Sequence, residues 1–533
     1  MRYIGAMALL VVNHAQVWNP ARGEGEPASP RAVWMQDGRI VDITPTDAAP
    51  AEGGRADVRV LAFPGATVMP AFVDAHFHLL SLAHRALRCD LAPATSAADV
   101  VARMAEYARA HDGDGALVGI DFDESEWTDA ALPTRDALDA ISSRRPLYVR
   151  RVCCHVGVAN TALLRRLESP DRFVDRESGR IVEDAVFEAN RVTRPPAVAQ
   201  IHAIDGAIAH LHSLGITAIH DIVDPGTLDV YMEGLTASSR PLRVDVFFHV
   251  EAEEFDRARD TLIPLRRRGV RALGIKIFAD GSLGGRTAAL NAPYADGDGN
   301  GELLFDEDAL HEALEACAVR NIACAVHAIG DRALRAVLDA MATVRARYPA
   351  HARFRVEHAE VIGEEEMARC RELRIPLVMQ PNFVRNWGGE GGMYAKRLGR
   401  ERWERTNPFA SLSRAGVPVV FSSDGMPAGP LFGIRGATNH PNPRERIAAA
   451  EAFYRYTRAA ADVFAAWDEP GESDDTEERP VEGRIVTGAR ADLVVVSGNP
   501  LLADPDRLRV EATIAEGREV YRSPAPIHSK PVR

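Results

Sequence analysis

Hydrophobic and polar positions along this chain follow two rhythms. Short, nearly continuous apolar runs predict buried β-strands, and longer stretches with apolar residues at helical spacing predict helices. Eight such strands are expected: Phe72–His78, Ile216–His220, Val244–Val250, Leu273–Phe278, Ala323–His327, Phe354–His358, Leu377–Gln380 and Val417–Ser422. Helical patterns follow most of them, most clearly at Ala309–Arg320, Arg332–Tyr348 and Glu364–Leu373. A helix after nearly every strand implies a parallel sheet with right-handed crossovers. The predicted class is therefore α/β, a (β/α)₈ TIM barrel running from Pro70 to about Ala466.

One connection is too long for a loop. Leu79–Gly215 separates the first two strands by 137 residues, and a structureless segment of that size does not fit a compact domain. An insertion with its own structure is expected, including helices at Ala98–Arg109 and Ile201–Ser213. It leaves the C-terminal face of the barrel, where such folds hold their chemistry.

The flanks read differently. In residues 1–69, Ala8–Val12 runs into Ala15–Trp18, and Val33–Val41 contains an Asp37-Gly38 turn signal. These are strand patterns; a weak signal peptide over Met1–Val12 is the competing reading. Asp468–Glu478 carries seven acidic residues with Pro470 and Gly471, the pattern of an exposed linker, with an acidic docking tail as the alternative. Strand character returns at Ala491–Val496 and Val510–Tyr521.

Composition narrows the classes. In 533 residues, 46% hydrophobic and 26% charged content is that of an ordinary folded protein and excludes wholesale disorder. A net charge of −13 disfavours nucleic acid and anionic membranes as partners. No run reaches the roughly 18 apolar residues of a membrane span. Six cysteines without a CxxC pair, two of them adjacent at Cys153 and Cys154, point to reduced thiols and a cytoplasmic location.

The chemistry gathers at strand ends. In Asp74-Ala75-His76-Phe77-His78, alternation puts Asp74, His76 and His78 on one face, so two imidazoles can grip one cation. Alone, this pair is a weak signal. Lys276 lies in the apolar fourth strand, His327 ends the fifth, His358 ends the sixth, and Asp424 follows the eighth. Buried histidines and surface charges placed independently would not coincide there.

An ammonium group has only donors and cannot ligate a metal. Its amine can react with CO₂ to give a carbamate, an anion whose two oxygens can bridge two cations. Lys276 is intelligible as that bridge, or as an unmodified lysine paired with Asp424 or Asp280.

These motifs resemble the amidohydrolase superfamily, and within it the YtcJ-like group that includes N-substituted formamide deformylases. The matching stretches are Pro70–His78, Leu132–Arg135, Lys276–Tyr294, His327–Asp331, Arg355–Ala359, Gln380-Pro381, Ser423-Asp424 and Ala491–Leu493. The resemblance spans nearly the whole chain. It implies a small composite β-sandwich built from both chain ends, residues 1–69 and 478–533, beside a barrel over 70–470 with 79–215 inserted. It also implies His76, His78 and Asp424 as ligands of one metal, His327 and His358 as ligands of a second, and Lys276 as the carboxylated bridge. The cofactors expected are two divalent ions, usually zinc, and the carbamate.

Two cations would lower the pKa of a bridging water to give hydroxide near neutral pH. Hydroxide would attack a carbonyl carbon, with Asp424 as general base and then acid. Hydrolysis of an amide-like C–N bond of a small molecule is the expected activity. A mononuclear deaminase or cyclic-amide hydrolase is the alternative, and a catalytically silent scaffold is a third. Oligomeric state is left open, a homo-oligomer included.

Secondary candidates for substrate contact are His155, Asp280, Arg286, Trp127 and Gln380. Each has a plain structural alternative: Asp280 and Arg286 in a tight turn, His155 as a hydrogen-bonded histidine, Trp127 as packing. His220 and Gln380 end strands two and seven and are expected to line the cavity without binding metal. Ala71, the Cys153-Cys154 pair, Met426 and Gly429–Gly436 depart from relatives, which weakens transfer of any specific substrate.

Overall fold

The computed structural model describes residues 9–21, 27–50, 57–124, 127–128, 131–152, 156–182, 184–464 and 481–524. The acidic stretch Asp468–Glu478, His155 and the Cys153-Cys154 pair lie outside them. Two compact units divide the chain: Met1–His78, Ile208–Leu228 and Ser239–Arg533 form one, and Leu79–Ala207 with Asp229–Ser238 the other.

The first unit holds the barrel. Its strands are β1 (Phe72–Phe77), β2 (Ile216–Val223), β3 (Arg243–Phe248), β4 (Val270–Phe278), β5 (Ala323–Ala328), β6 (Phe354–His358), β7 (Leu377–Met379) and β8 (Val419–Phe421). They form one sheet in the order β8-β7-β6-β5-β4-β3-β2-β1, parallel throughout. Every residue of β1, β5 and β6 is buried, as expected of strands covered on both faces. Helices Glu307–Val319, Asp331–Arg347 and Glu364–Glu372 follow β4, β5 and β6, each within one or two residues of its predicted position. Between β1 and β8 the seam is joined by other bonds: the Asp424 amide donates to the His76 carbonyl at 3.0 Å, and the Ser423 amide donates to Asp74 Oδ1 at 2.9 Å.

Both chain ends meet in the same unit. Thr67–Pro70 pairs antiparallel with Leu493–Val496, and eight strands from the two ends hydrogen-bond into one continuous sheet. The predicted hairpin is present: Pro30–Gln36 and Arg39–Thr44 flank Asp37 and Gly38, whose φ values of 49° and 76° are those of a tight type I′ turn. Leu9–Val17 lies in the middle of that sheet, between Thr67–Pro70 and Pro30–Gln36. That strand shifts register between Val12 and Ala15, around His14 at φ 62°. The bulge lets its first half pair with Val58–Ala62 and its second with Thr67–Pro70.

The inserted unit has its own sheet of five strands: Arg180–Val182, Val156–Ala159, Leu147–Arg151, Leu117–Phe122 and Cys89–Asp90 in spatial order. Leu91, Met104, Leu117, Leu138 and Val149 form one of its buried clusters. The boundary between units falls inside helix Ala197–Ser213, after Ala207.

Candidate metal centre

β1 delivers the first two ligand candidates by alternation. His76 is buried and His78, one residue past the strand, is a third exposed. Asp424 enters from the loop after β8 with φ at 55°, a left-handed conformation that non-glycine residues seldom adopt. His78 Nε2 lies 3.1 Å from Asp424 Oδ1, and His76 Nε2 lies 3.6 Å from the same oxygen. One ligand atom from each of the three residues falls within 4.8 Å of the others.

His358 arrives differently. Strict alternation along β6 would put Arg355 and Glu357 on one face and His358 on the other. Left-handed φ values of 73° at His358 and 47° at Ala359 break that alternation. Such a conformation costs on the order of 1–3 kcal/mol and persists only where its surroundings hold it. Its ring centroid lies 4.9 Å from that of His76 and 4.5 Å from that of His327.

Each of these three imidazoles has one nitrogen engaged by an oxygen acceptor. His76 Nδ1–H donates to Glu357 Oε2 at 2.6 Å, His358 Nδ1–H to Gln380 Oε1 at 2.8 Å, and His327 Nε2–H to the Gly281 carbonyl at 2.9 Å. The opposite nitrogen of each ring therefore keeps its lone pair, the form a cation needs. Burial pushes all three well below the ordinary histidine value, which keeps them neutral. The donor set thus fits a divalent ion.

Lys276 is fully buried, with Nζ 4.7 Å from the centroid of the Phe278 ring. Its charge acts on His76, His78, His327, His358 and Asp424, so all six predicted ligands share one neighbourhood. Burial pushes its amine down to about 8.

The secondary candidates separate. Gln380 joins the centre by holding His358 and donating to Ser422 Oγ at 3.0 Å. Asp280 is buried and accepts from the amides of Ala289, Ile329 and Gly330 at 2.9, 3.0 and 2.8 Å. It clamps the segments after β4 and β5 together, so its oxygens are committed to backbone. Arg286 is half-exposed and bidentate on Asp296 at 3.1 and 3.0 Å. Trp127 packs in the core of the inserted unit against Phe122 and donates to the Ala94 carbonyl at 2.9 Å. His220 faces into β2's neighbours and bonds to Arg355.

Two residues of the centre have no predicted role: Glu357, which holds His76, and Arg355, whose Nε lies 2.5 Å from Glu357 Oε1. A signal for them exists in the sequence. Two charged residues alternate within the five-residue strand Phe354–His358, and charges in a buried strand must face a partner.

Comparison with known proteins gives the family. The amidohydrolase family model matches residues 60–521. YtcJ of Bacillus subtilis (strain 168), assigned to the amidohydrolases, is 28% identical over 526 residues, covering 92% of this chain and 96% of its own. The N-substituted formamide deformylase of Arthrobacter pascens is 26% identical, covering 90% and 92%. The crystal structure of a metal-dependent hydrolase from Pyrococcus furiosus has a TM-score of 0.73 at 27% identity, covering 92% of this chain and 100% of that one. With six ligand-type side chains converging at the strand ends of the barrel, and a family match over most of its length, this chain belongs to the amidohydrolase family of metal-dependent hydrolases.

Proposed function

We propose that this protein hydrolyses an amide-like C–N bond in a small molecule, with the chemistry at His76, His78 and Asp424. The observation that carries the reading is the convergence of those three donor atoms within 4.8 Å. One divalent cation fits them, and Zn²⁺ suits imidazole and carboxylate ligands. His327 and His358, with Lys276 as its carbamate, would hold a second. A bound ion supplies Lewis-acid polarisation of a carbonyl and a lowered pKa for water.

The remaining work falls to side chains. Burial pushes the Asp424 carboxyl up, but His76, His78 and Lys276 outweigh it and hold it below its ordinary value. An anionic carboxylate is thus available at Oδ1 or Oδ2 to take a proton from the attacking water and return it to the leaving nitrogen. Glu357 and Gln380 hold the rings of His76 and His358 in the ligand tautomer. The relationship to the deformylase supports a formamide-like or N-acyl substrate. A cytoplasmic location is part of the proposal: Cys89, Cys317, Cys324 and Cys370 are free thiols, and no described helix is long and apolar enough to cross a membrane.

A mononuclear hydrolase or deaminase is the second reading. It is favoured by one observation: among the described residues, His76, His78 and Asp424 form the one close group of three metal-ligating His, Cys, Asp or Glu side chains. Metal analysis of the purified protein, paired with turnover of formamides, N-acyl amino acids and cyclic amides, tests both. Two ions per chain with formamide or N-acyl hydrolysis supports the binuclear scheme. One ion with an unmodified Lys276 supports the second reading, and no turnover of any amide defeats the C–N assignment.

A further inference from the structure

A chain of polar contacts, buried from Asp245 onward, runs through the barrel from its N-terminal end to the metal centre. It starts at Arg271, at the beginning of β4, which donates to Asp245 Oδ2 on β3 at 3.0 Å and also contacts Oδ1. Asp245 Oδ2 lies 3.5 Å from His220 Nε2 on β2. On the other side of that ring, Arg355 Nη1 donates to His220 Nδ1 at 2.8 Å. Arg355 is fully buried, sits 4.1 Å above the Phe247 ring and contacts Glu357. Glu357 then accepts from His76.

The chemistry of each link fixes the next. A guanidinium has no acceptor, so His220 must offer a lone pair at Nδ1 and carry its proton on Nε2, facing Asp245. That imidazole is neutral; burial pushes it down to about 3. The charges alternate along the line, positive at Arg271, negative at Asp245, positive at Arg355 and negative at Glu357. Of these four only Glu357, which holds His76, carries a role in the reaction as proposed. A buried ion pair gives little net stability over apolar packing, so stability alone is a weak reason for this arrangement.

We infer that Arg355, His220 and Asp245 are positioning residues for His76, acting through Glu357, so that the affinity of the His76, His78 and Asp424 site for a divalent ion is set in part from the far end of the barrel. Arg355 holds Glu357 in place. Glu357 holds the Nδ1 proton of His76 and so aims its Nε2 at the ion. His220, itself oriented by Asp245, gives Arg355 the acceptor that fixes its plane. The inference rests on the metal-binding reading of those three ligands.

The test is Zn²⁺ affinity of the full chain, measured by competition with a chelating indicator, with circular dichroism and thermal unfolding of the metal-free protein to verify folding. Loss of a partner behind a metal-ligating histidine typically weakens binding about 10- to 100-fold, and Glu357→Ala should do so. His220→Leu removes the acceptor for Arg355 and should weaken Zn²⁺ binding about 10-fold. His220→Gln, whose amide both accepts from Arg355 and donates to Asp245, should stay within about 3-fold of the parent. A structural control is Thr513→Val, which breaks the buried bond from Thr513 Oγ1 to the His212 carbonyl in the terminal sheet and should leave affinity unchanged.

Folded His220→Leu with parental affinity, or equal losses in the Leu and Gln variants, overturns the inference. Should the Leu variant fail to fold, Asp245→Asn takes its place: weakened binding supports the relay and unchanged binding overturns it. A parent protein that binds no Zn²⁺ overturns the metal reading itself and this inference with it, whereas equal binding in all variants overturns this inference alone.

Discussion

Ser423 donates its backbone N–H to Asp74 Oδ1 at 2.9 Å and its hydroxyl to Oδ2, joining two residues 349 positions apart in the chain. This pair lies at the seam between the first and last barrel strands. It also determines where Asp424 stands, because the next amide, that of Asp424, donates to the His76 carbonyl at 3.0 Å. The contacts that close the barrel thus also place Asp424 beside His76.

Removing the hydroxyl tests that link. In Ser423→Ala, Asp74 stays buried and loses one partner, which costs about 1–3 kcal/mol. Urea denaturation should show the loss, and Zn²⁺ affinity should fall with it, because the hydroxyl, which also accepts from the Gly425 amide at 3.0 Å, ties the turn that carries Asp424 to Asp74. Unchanged stability together with unchanged affinity would separate the seam from the metal centre.

Asp424→Asn keeps the shape of the side chain and removes its basicity. Turnover of an amide substrate should fall by about 10²-fold or more, in the range expected for loss of a general base. Metal content measured on the same sample distinguishes loss of a proton acceptor from loss of a ligand. Full turnover in this variant would exclude Asp424 from the chemistry.

Metal removal should act on stability as well as activity. A ligand that binds only the folded state at about 100 times its Kd adds roughly 2.7 kcal/mol. Chelation should therefore abolish hydrolysis and lower the Tm, and Zn²⁺ should restore both. Chelator-treated, metal-free protein with full activity and unchanged Tm would contradict a metal-dependent centre.

The pair of Asp245 and Arg271 predicts an acid limb in stability. Burial pushes the Asp245 carboxyl up, but the Arg271 guanidinium outweighs it and holds the group well below the ordinary carboxylate range. A folded-state value below the unfolded one means that the contribution is present above the unfolded carboxyl pKa of about 4 and is lost as pH falls through the window beneath it. The urea midpoint of the parent should drop on acidification below about pH 4, and Asp245→Asn should show a shallower drop over that window. Parallel curves would mean that Asp245 does not titrate with folding.

Much of the centre was legible because strands obey a period of two. Asp74, His76 and His78 could be placed on one face, and Lys276, His327, His358 and Asp424 at strand ends, without any coordinates. His358 shows the limit of that logic. Alternation alone turns it away from the centre, and a left-handed turn at His358 and Ala359 brings it back. A backbone departure of that kind is held by long-range packing and has no signature in a short window.

Asp280 and Arg286 mark a second limit. A glycine-rich segment after a barrel strand suggests substrate contact, and residue type cannot separate that from a loop clamp. In the structure Asp280 accepts from three backbone amides and Arg286 is paired with Asp296. Trp127 is a similar case, since an indole serves a pocket wall and a core equally well, and here it packs within the inserted unit.

What the sequence determined by itself was local: which residues form strands and helices, that the segment after the first strand is too long to be a loop, and which ligand-type residues stand at strand ends. Periodicity and spacing act over a few residues, so they can be read along a chain. What only the tertiary structure decided was pairing across distance. The joining of Thr67–Pro70 to Leu493–Val496, the seam between Asp74 and Ser423, and the run from Arg271 to His76 each link segments far apart in the chain. The physical reason is burial. A charge or lone pair removed from water requires a partner, and which partner it meets depends on how the strands come together in space.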